Sequence, residues 1–210
     1  MIAIVDYGMG NLRSVANAFE AIRQPAVLTD QADDLRRADA IVLPGVGAFC
    51  DGMQNLERSG LIDVLTAEVR DGGKPYLGIC LGMQFLAEYG DEGAGAQGLG
   101  WIPGTVRRLQ PSDRRFKVPH IGWNDLDVAR EGVLYAELPE PPVYYFVHGY
   151  HLAVAAEARA AVTATCWHGE EIVASIEHGN IFGVQFHPEK SQRAGLRLLE
   201  NFAKLVLARL

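Results

Sequence analysis

A cysteine between glycines is the first candidate for chemistry in this chain. Cys80 lies in Gly78-Ile79-Cys80-Leu81-Gly82, directly after the largely apolar run 74–77. Small residues on both sides of a nucleophile, where a buried strand turns sharply into a helix, are typical of a nucleophile elbow. The new helix would aim its free N–H groups at the sulfur, which favours the thiolate. Without these flanking residues, a small buried hydrophobic side chain would be the better interpretation of Cys80.

A histidine and a glutamate further along the chain are the candidate base and acid. His187 and Glu189 stand two residues apart on either side of Pro188. In an extended strand, residues i and i+2 point to the same side, so Glu189 could orient the imidazole. Taken alone, His187 could instead be a strand-end histidine that caps carbonyl groups. The acid follows the histidine here, whereas in α/β-hydrolases it precedes the histidine, so the sequence does not fit that class.

Composition narrows the class of protein. A chain of 210 residues with 49% hydrophobic content is long enough for one well-buried domain, which we expect to span residues 1–210. The 26 acidic and 19 basic residues give a net charge of −7, and no Lys/Arg block could follow a phosphate backbone. We therefore expect no nucleic-acid binding.

The sequence also predicts the cellular location of the protein and the use of its cysteines. The first residues lack the positive region of a signal peptide and no apolar run reaches transmembrane length, so we expect a cytoplasmic protein without a membrane partner. Three cysteines, Cys50, Cys80 and Cys166, show no C-x-x-C spacing, which argues against a disulfide framework and a zinc site. We expect no metal and no organic cofactor.

Hydrophobic patterns predict an α/β domain. Apolar runs predict buried parallel strands at Ile2–Val5, Ala26–Leu28, Ile41–Leu43 and Tyr76–Ile79. Amphipathic stretches predict helices at Leu12–Ile22, Leu61–Val69, Met83–Tyr89 and Ser191–Leu210. Beyond Gly90, glycine and proline separate strand-like pieces at Gly104–Leu109, Val143–Val147, Ala161–Cys166, Glu171–Glu177 and Asn180–Phe186. The expected fold has three layers: an open, mostly parallel sheet, flanking helices, and antiparallel strands added by the C-terminal half.

Several longer segments resemble the class I, triad-type glutamine amidotransferases. Within that family they resemble the glutaminase subunits of imidazole glycerol phosphate synthases. The similarity covers nearly the whole chain and is carried by DYGMGNLRSV (6–15), LPGVGAF (43–49), GICLGMQ (78–84), PHIGWN (119–124), YFVH (145–148) and GVQFHPEKSQ (183–192). The cysteine and His-Pro-Glu segments mark the class, whereas the combination of the other segments marks the subunit.

The resemblance implies that the chain hydrolyses the side-chain amide of glutamine to glutamate and ammonia. Cys80 would attack the amide carbon, His187 would move the proton, and Glu189 would orient His187. The backbone of Leu81 and of the loop Gly45-Val46-Gly47 would supply the oxyanion hole. Because glycines flank Val46, we hypothesise that the Gly45–Val46 peptide switches between an inactive and a donor-presenting state.

Further residues are expected to bind glutamine. Gln84 resembles the residue with which family members hold the substrate; a glutamine exposed on a helix face is the alternative. The backbone of Gly149 and Tyr150 is expected to contact the substrate as well. Gly149 departs from the family, which usually has a small hydroxyl residue there, and the change is tolerable if the contact is made by the backbone.

The resemblance also implies a partner. The chain would form a heterodimer with a cyclase subunit of (β/α)8 type, which uses the ammonia to make imidazole glycerol phosphate and AICAR in histidine biosynthesis. The expected interface residues are Asn11, Trp123, Asn124, Tyr145 and Lys190. Core packing is the alternative for Trp123, and an ordinary surface position is the alternative for Lys190.

Two other functions stay open on the sequence alone. One is a glutaminase that serves another amidotransferase system, such as pyridoxal phosphate or anthranilate synthesis. The other is a non-catalytic regulatory subunit with the same fold, which the presence of Cys80, His187 and Glu189 disfavours.

Overall fold

A large sheet with helices on both faces forms the centre of the molecule. The computed structural model describes residues 1–129, 132–138 and 142–207. The strands of the first half are β1 (Ile2–Val5), β2 (Ala26–Thr29), β3 (Ala40–Gly45), β4 (Tyr76–Cys80), β5 (Tyr89–Gly90) and β6 (Ala96–Gln97). Those of the second half are β7 (Gly104–Arg108), β8 (His120–Asp125), β9 (Asp127–Val128), β10 (Val143–His148), β11 (Tyr150–Val154), β12 (Val162–Trp167), β13 (Glu171–His178) and β14 (Ile181–Val184).

Helices lie between and after these strands. The α-helices are α1 (Leu12–Ala21), α2 (Ala32–Arg37), α3 (Phe49–Arg58), α4 (Ile62–Thr66), α5 (Leu81–Gln84) and α6 (Gln192–Leu207). A π-helical segment, Ala67–Asp71, continues α4. Short 3-10 helices form at Val133–Tyr135, Ala156–Ala161 and Pro188–Lys190.

The order of strands in the main sheet is β2-β1-β3-β4-β14-β13-β12-β9. Strands β2, β1, β3, β4 and β14 pair in parallel. Strands β13, β12 and β9 continue the sheet in antiparallel pairs. The prediction of a mostly parallel sheet, extended by antiparallel strands of the C-terminal half, is therefore confirmed.

Side chains of β1 alternate between two hydrophobic clusters, one on each face of the sheet. Ile2 and Ile4 belong to a cluster that includes buried residues of α1 and α6. Ala3 and Val5 belong to a second cluster, which includes buried residues of α2, α3 and α4. The helices on both faces give the three predicted layers.

Two smaller sheets stand beside the main one. One has the strand order β11-β7-β5-β6, and the other is an antiparallel ribbon of β10 and β8. The ribbon places Tyr145 opposite Trp123 and Val147 opposite Ile121. It thereby carries two of the segments on which the family resemblance rests.

The predicted elements agree with the structure in most places. All four early strands are present, and the helices predicted at Leu12–Ile22 and Leu61–Val69 correspond to α1 and to α4 with its π-helical continuation. The structure adds helices α2 and α3 and strands β5, β6, β8, β9 and β11, which the patterns did not predict. In the final helix, residues 208–210 lie outside the described residues. A single domain over residues 1–210 stays a prediction.

The helix predicted at Met83–Tyr89 is wrong. Helix α5 begins at Leu81 and ends at Gln84, and Tyr89 already belongs to β5. The carbonyl of Phe85 accepts a hydrogen bond from Leu99, and that of Leu86 accepts from the backbone at 101–102. Because these carbonyls bond to another segment, the apolar run after Gln84 is buried without being helical.

Candidate active site

Cys80 occupies a sharp turn between β4 and α5. Its backbone angles, φ 54° and ψ −106°, are unusual for a residue with a side chain, and strain of this kind clusters at functional sites. A Cβ atom on Gly82 would lie 1.8 Å from the carbonyl oxygen of Leu43, and one on Gly78 would lie 2.5 Å from that of Gly82. The glycines are therefore required by close packing, and the backbone is that of a nucleophile elbow. Because α5 has only four residues, it adds little helix dipole to this site.

His187 and Glu189 form a buried pair. His187 Nδ1 and Glu189 Oε1 are 2.8 Å apart, and the two side chains are 2% and 1% exposed. The expectation of an extended strand here is wrong, because β14 ends at Val184 and His187 caps the 3-10 helix Pro188–Lys190. The side chains meet across this tight turn instead of along a strand.

The charges around His187 favour its protonated form. Burial lowers the pKa of His187, but the nearby Cys80 sulfur and the Glu189 carboxylate raise it more, to about 10. The Nε2 atom is buried, and the Cys80 sulfur interacts with the imidazole ring. With Nδ1 held by Glu189, Nε2 is the ring nitrogen available for proton transfer.

A cavity of about 400 Å³ opens above Cys80. Most residues expected to bind substrate line it: Val46, Gly47, Leu81, Gln84, Gly149 and Tyr150. Gly45 lies behind this wall, where β3 pairs with β4 and Gly45 is opposite Cys80. A Cβ atom there would meet the Tyr7 hydroxyl at 2.3 Å and the Leu81 side chain at 2.9 Å, so only glycine fits.

Gln84 does not lie in solvent, and that alternative is wrong. Its side chain is 4% exposed, and its Nε2 donates to the Tyr150 carbonyl at 2.9 Å and to Gln185 Oε1 at 3.0 Å. The Gln185 Nε2 in turn donates to Cys80 Sγ at 3.6 Å. Sequence reasoning missed Gln185, although it stands two residues before His187 in the segment GVQFHPEKSQ on which the resemblance rests.

Four more residues of the cavity wall were not expected there. Glu92, Val147 and His148 line the cavity, and so does Lys190, which was assigned to the interface alone. Glu92 also accepts a hydrogen bond from the backbone N–H of Phe49 at 2.7 Å. No pattern around Glu92 in the sequence indicates this position, because Glu92 lies in the loop between β5 and β6.

The ribbon of β8 and β10 presents an exposed apolar face near the cavity. Trp123 is 49% exposed, so the core interpretation is wrong. The half-buried Tyr145 packs edge-on against it with ring centroids 6.0 Å apart, and the Lys190 ammonium lies 5.9 Å from the Tyr145 ring. Asn124 donates to the Trp167 carbonyl, and Asn11 is exposed at the start of α1. Trp123, Tyr145 and Lys190 thus form one continuous surface.

Two further observations concern membrane spans and metal sites. None of the described helices is long and apolar enough to cross a membrane. Residues 1–129, 132–138 and 142–207 also contain no group of three or more His, Cys, Asp or Glu side chains that could hold a metal ion.

Comparisons with known proteins agree with this geometry. The family model described as glutamine amidotransferase class-I matches residues 3–206. The protein named imidazole glycerol phosphate synthase subunit HisH from Moorella thermoacetica is 46% identical over 205 residues, which are 98% of this chain and 95% of the relative. Its counterpart from Methanothermobacter thermautotrophicus is 48% identical over 208 residues, covering 99% of this chain and 100% of the relative.

Solved structures share the fold at low sequence identity. PurLQS from Thermotoga maritima has a TM-score of 0.70 at 21% identity and covers 97% of both chains. The glutaminase domain of Trypanosoma brucei CTPS, solved with bound acivicin, has a TM-score of 0.63 at 19% identity and covers 97% of this chain and 93% of that chain.

Proposed function

The chain belongs to the class-I glutamine amidotransferases and, within them, to the HisH subunits of imidazole glycerol phosphate synthase, and on this premise we propose its mechanism. It hydrolyses glutamine to glutamate and ammonia for histidine biosynthesis. Cys80, His187 and Glu189 carry the reaction. The observation that supports this most is the buried His187–Glu189 pair, because its imidazole also interacts with the sulfur of the strained Cys80.

The first half of the reaction forms a thioester. His187 Nε2 takes the thiol proton, and the Cys80 sulfur forms a bond to the carboxamide carbon while the C=O π electrons move to oxygen. When the tetrahedral intermediate collapses, the C–N bond breaks and His187 returns the proton to the leaving nitrogen as ammonia. In the second half, His187 deprotonates a water that attacks the γ-glutamyl thioester. The C–S bond then breaks, glutamate leaves, and His187 returns the proton to the Cys80 sulfur.

Backbone N–H groups beside the nucleophile would stabilise the oxyanion. Leu81 follows Cys80 directly, and Val46 and Gly47 form the facing wall of the cavity. Each donor of this kind is commonly worth about 10²–10³ in rate. We further propose that the Gly45–Val46 peptide rotates to present its N–H only when the partner is engaged; Gly47, at φ 106°, gives the loop the required freedom.

Charged and polar groups of the wall suit the ends of glutamine. The Gln84 side chain and the backbone of Gly149 and Tyr150 line the cavity near the sulfur. The Glu92 carboxylate can pair with the α-ammonium group, and the Lys190 ammonium can pair with the α-carboxylate. Because Gly149 contributes only backbone, it can fill the position at which the family usually has a hydroxyl residue.

The partner is the cyclase subunit of the synthase, and we propose that it is of (β/α)8 type. Its docking site would be the exposed face of Trp123, Tyr145 and Lys190, with Asn11 and Asn124 at the margin. Aromatic and basic side chains that border a catalytic cavity are favourable interface residues. Ammonia could then pass to the cyclase through a shielded path. A cytoplasmic location stays a prediction.

Glutamate release tests the proposed function. It is measured for the chain alone and with its cyclase subunit plus that subunit's ribonucleotide ligand, with Cys80→Ala as the blank. We expect strong stimulation by the liganded partner, and none in the blank. Activity without any effect of the partner would assign the chain to another amidotransferase system, and no activity in any combination would favour a non-catalytic subunit.

A further inference from the structure

A second amide side chain is buried against the nucleophile. Gln185 is 0% exposed, and its Nε2 donates to Cys80 Sγ at 3.6 Å, within the longer range of hydrogen bonds to sulfur. The mechanism described above assigns Gln185 no role. A polar side chain buried completely needs its hydrogen bonds satisfied within the protein, so its contacts define how it is oriented.

A backbone carbonyl fixes this orientation through Gln84. The Tyr150 carbonyl can only accept, so the Gln84 amide must present its Nε2 to it, at 2.9 Å. The same Nε2 donates to the Gln185 amide at 3.0 Å, which must therefore present its oxygen there. Gln185 then has no choice but to direct its own N–H at the Cys80 sulfur.

The Tyr150 carbonyl is itself held in place. His148 Nδ1 lies 2.9 Å from it, and His148 Nε2 lies 3.1 Å from Nδ1 of His120. Both histidine rings are buried, and Asn124 Nδ2 meets the remaining nitrogen of His120 at 3.3 Å. This series of contacts keeps the carbonyl, and with it the Gln84 amide, in one position.

We propose that Gln185 is a catalytic hydrogen-bond donor that stabilises the thiolate of Cys80, and that Gln84 is oriented so as to hold Gln185 in the donating position. A thiolate accepts a hydrogen bond much better than a thiol does, so a fixed donor stabilises the attacking form of the nucleophile. This inference rests on the proposed function, since it deepens the role of the same cysteine.

The test is the pH dependence of Cys80 alkylation by iodoacetamide, followed by mass spectrometry of the peptide that contains Cys80. It is measured in Gln185→Met, which keeps an unbranched side chain but removes the donor, and in Gln185→Glu, which keeps the shape. Thr163→Val is the matched control, because it removes a buried polar group, a hydroxyl that is hydrogen-bonded to Ser175 at 2.7 Å and not to Cys80. Far-ultraviolet circular dichroism establishes that each variant folds.

We expect the midpoint pH of alkylation to rise by roughly one to two units in both Gln185 variants, as loss of a hydrogen bond to a charged group implies. Thr163→Val should match the wild type. An unchanged midpoint in whichever Gln185 variant folds would overturn the inference while leaving the glutaminase intact. Alkylation needs neither glutamine nor the partner, so a shifted midpoint in the variants, together with no glutamine turnover by the wild-type complex, would instead contradict the proposed function.

Discussion

Among single residues, we propose that the carboxylate of Glu189 determines how well His187 works as a base. Glu189→Gln keeps the shape of the side chain but removes the charge that, with Cys80, raises the pKa of His187. We expect kcat for partner-stimulated glutamine hydrolysis to fall by about 10²–10⁴, as in comparable triads. Glu157→Gln, at an exposed position, serves as the control. A value within about threefold of wild type would contradict the role of Glu189.

Backbone strain at Cys80 has a separate consequence for stability. A glycine is usually about 0.5–1 kcal/mol less favourable than alanine because of its backbone entropy. At φ 54° this order should reverse, because alanine keeps the strain that a Cβ imposes. We expect the free energy of unfolding, measured with urea, to be about 1 kcal/mol higher for Cys80→Gly than for Cys80→Ala. Equal stabilities, or a more stable alanine variant, would show that the turn is unstrained.

At the scale of elements, helix α6 fixes the turn that carries His187 and Glu189. A Cβ atom on Gly195 would lie 1.8 Å from the carbonyl oxygen of Pro188. Gly195→Ala must therefore push the helix and the turn apart, at a cost of about 1–3 kcal/mol. We expect kcat to fall at least about tenfold, since small displacements of catalytic groups are costly. Arg193→Ala, exposed in the same helix, should change neither quantity, and an active Gly195→Ala enzyme would refute the coupling.

The elements that the sequence predicts well are those whose signals are local. Continuous apolar runs marked β1, β3 and β4, and the glycines around Cys80 marked the elbow, because both depend on neighbouring residues. Helix α3 carries buried residues at Phe49, Met53 and Leu56, a helical spacing that Gly52 partly obscures. The pattern was thus present, although it did not lead to a prediction.

The parts of the site that the sequence did not predict depend on distant segments. Gln84 and Gln185 are 101 positions apart and meet only because β4 and β14 are neighbours in the sheet. The contact of His187 with Glu189 was expected, but the backbone conformation that produces it was not. A spacing of two residues fits a strand and a 3-10 turn equally. Glu92 reaches the cavity through a loop that no periodic pattern describes.

At the scale of the whole molecule, buried histidines should limit stability in acid. Burial lowers the pKa of His120 and of His151 to about 4, and that of His148 to about 3, helped by neighbouring charged groups. Below about pH 6.5 the unfolded chain therefore binds more protons than the folded chain. Stability is lost as the pH falls from there toward 4. His187 acts oppositely and at higher pH: its raised pKa stabilises the fold below about 6.5, and this contribution is lost as the pH rises toward about 10.

We expect the free energy of unfolding to fall by several kcal/mol between pH 7 and pH 5, on the order of 2 kcal/mol for each histidine. Urea unfolding at several pH values measures this. Both ring nitrogens of His151 lack a hydrogen-bond partner within the described residues, so His151→Leu should reduce the loss by about a third. His178→Leu, a substitution at an exposed position, is the control. A stability independent of pH over this range would contradict the assignment of neutral, buried rings.

We propose that Cys80 attacks the carboxamide of a glutamine bound in the cavity above it. Labelling by a chloroketone analogue of glutamine, in the presence of the cyclase subunit and its ligand, tests this attack when it is followed by peptide mass spectrometry. We expect one label per chain, on Cys80 and not on Cys50 or Cys166, and protection by excess glutamine. Labelling that glutamine does not prevent, or that falls on another cysteine, would contradict it.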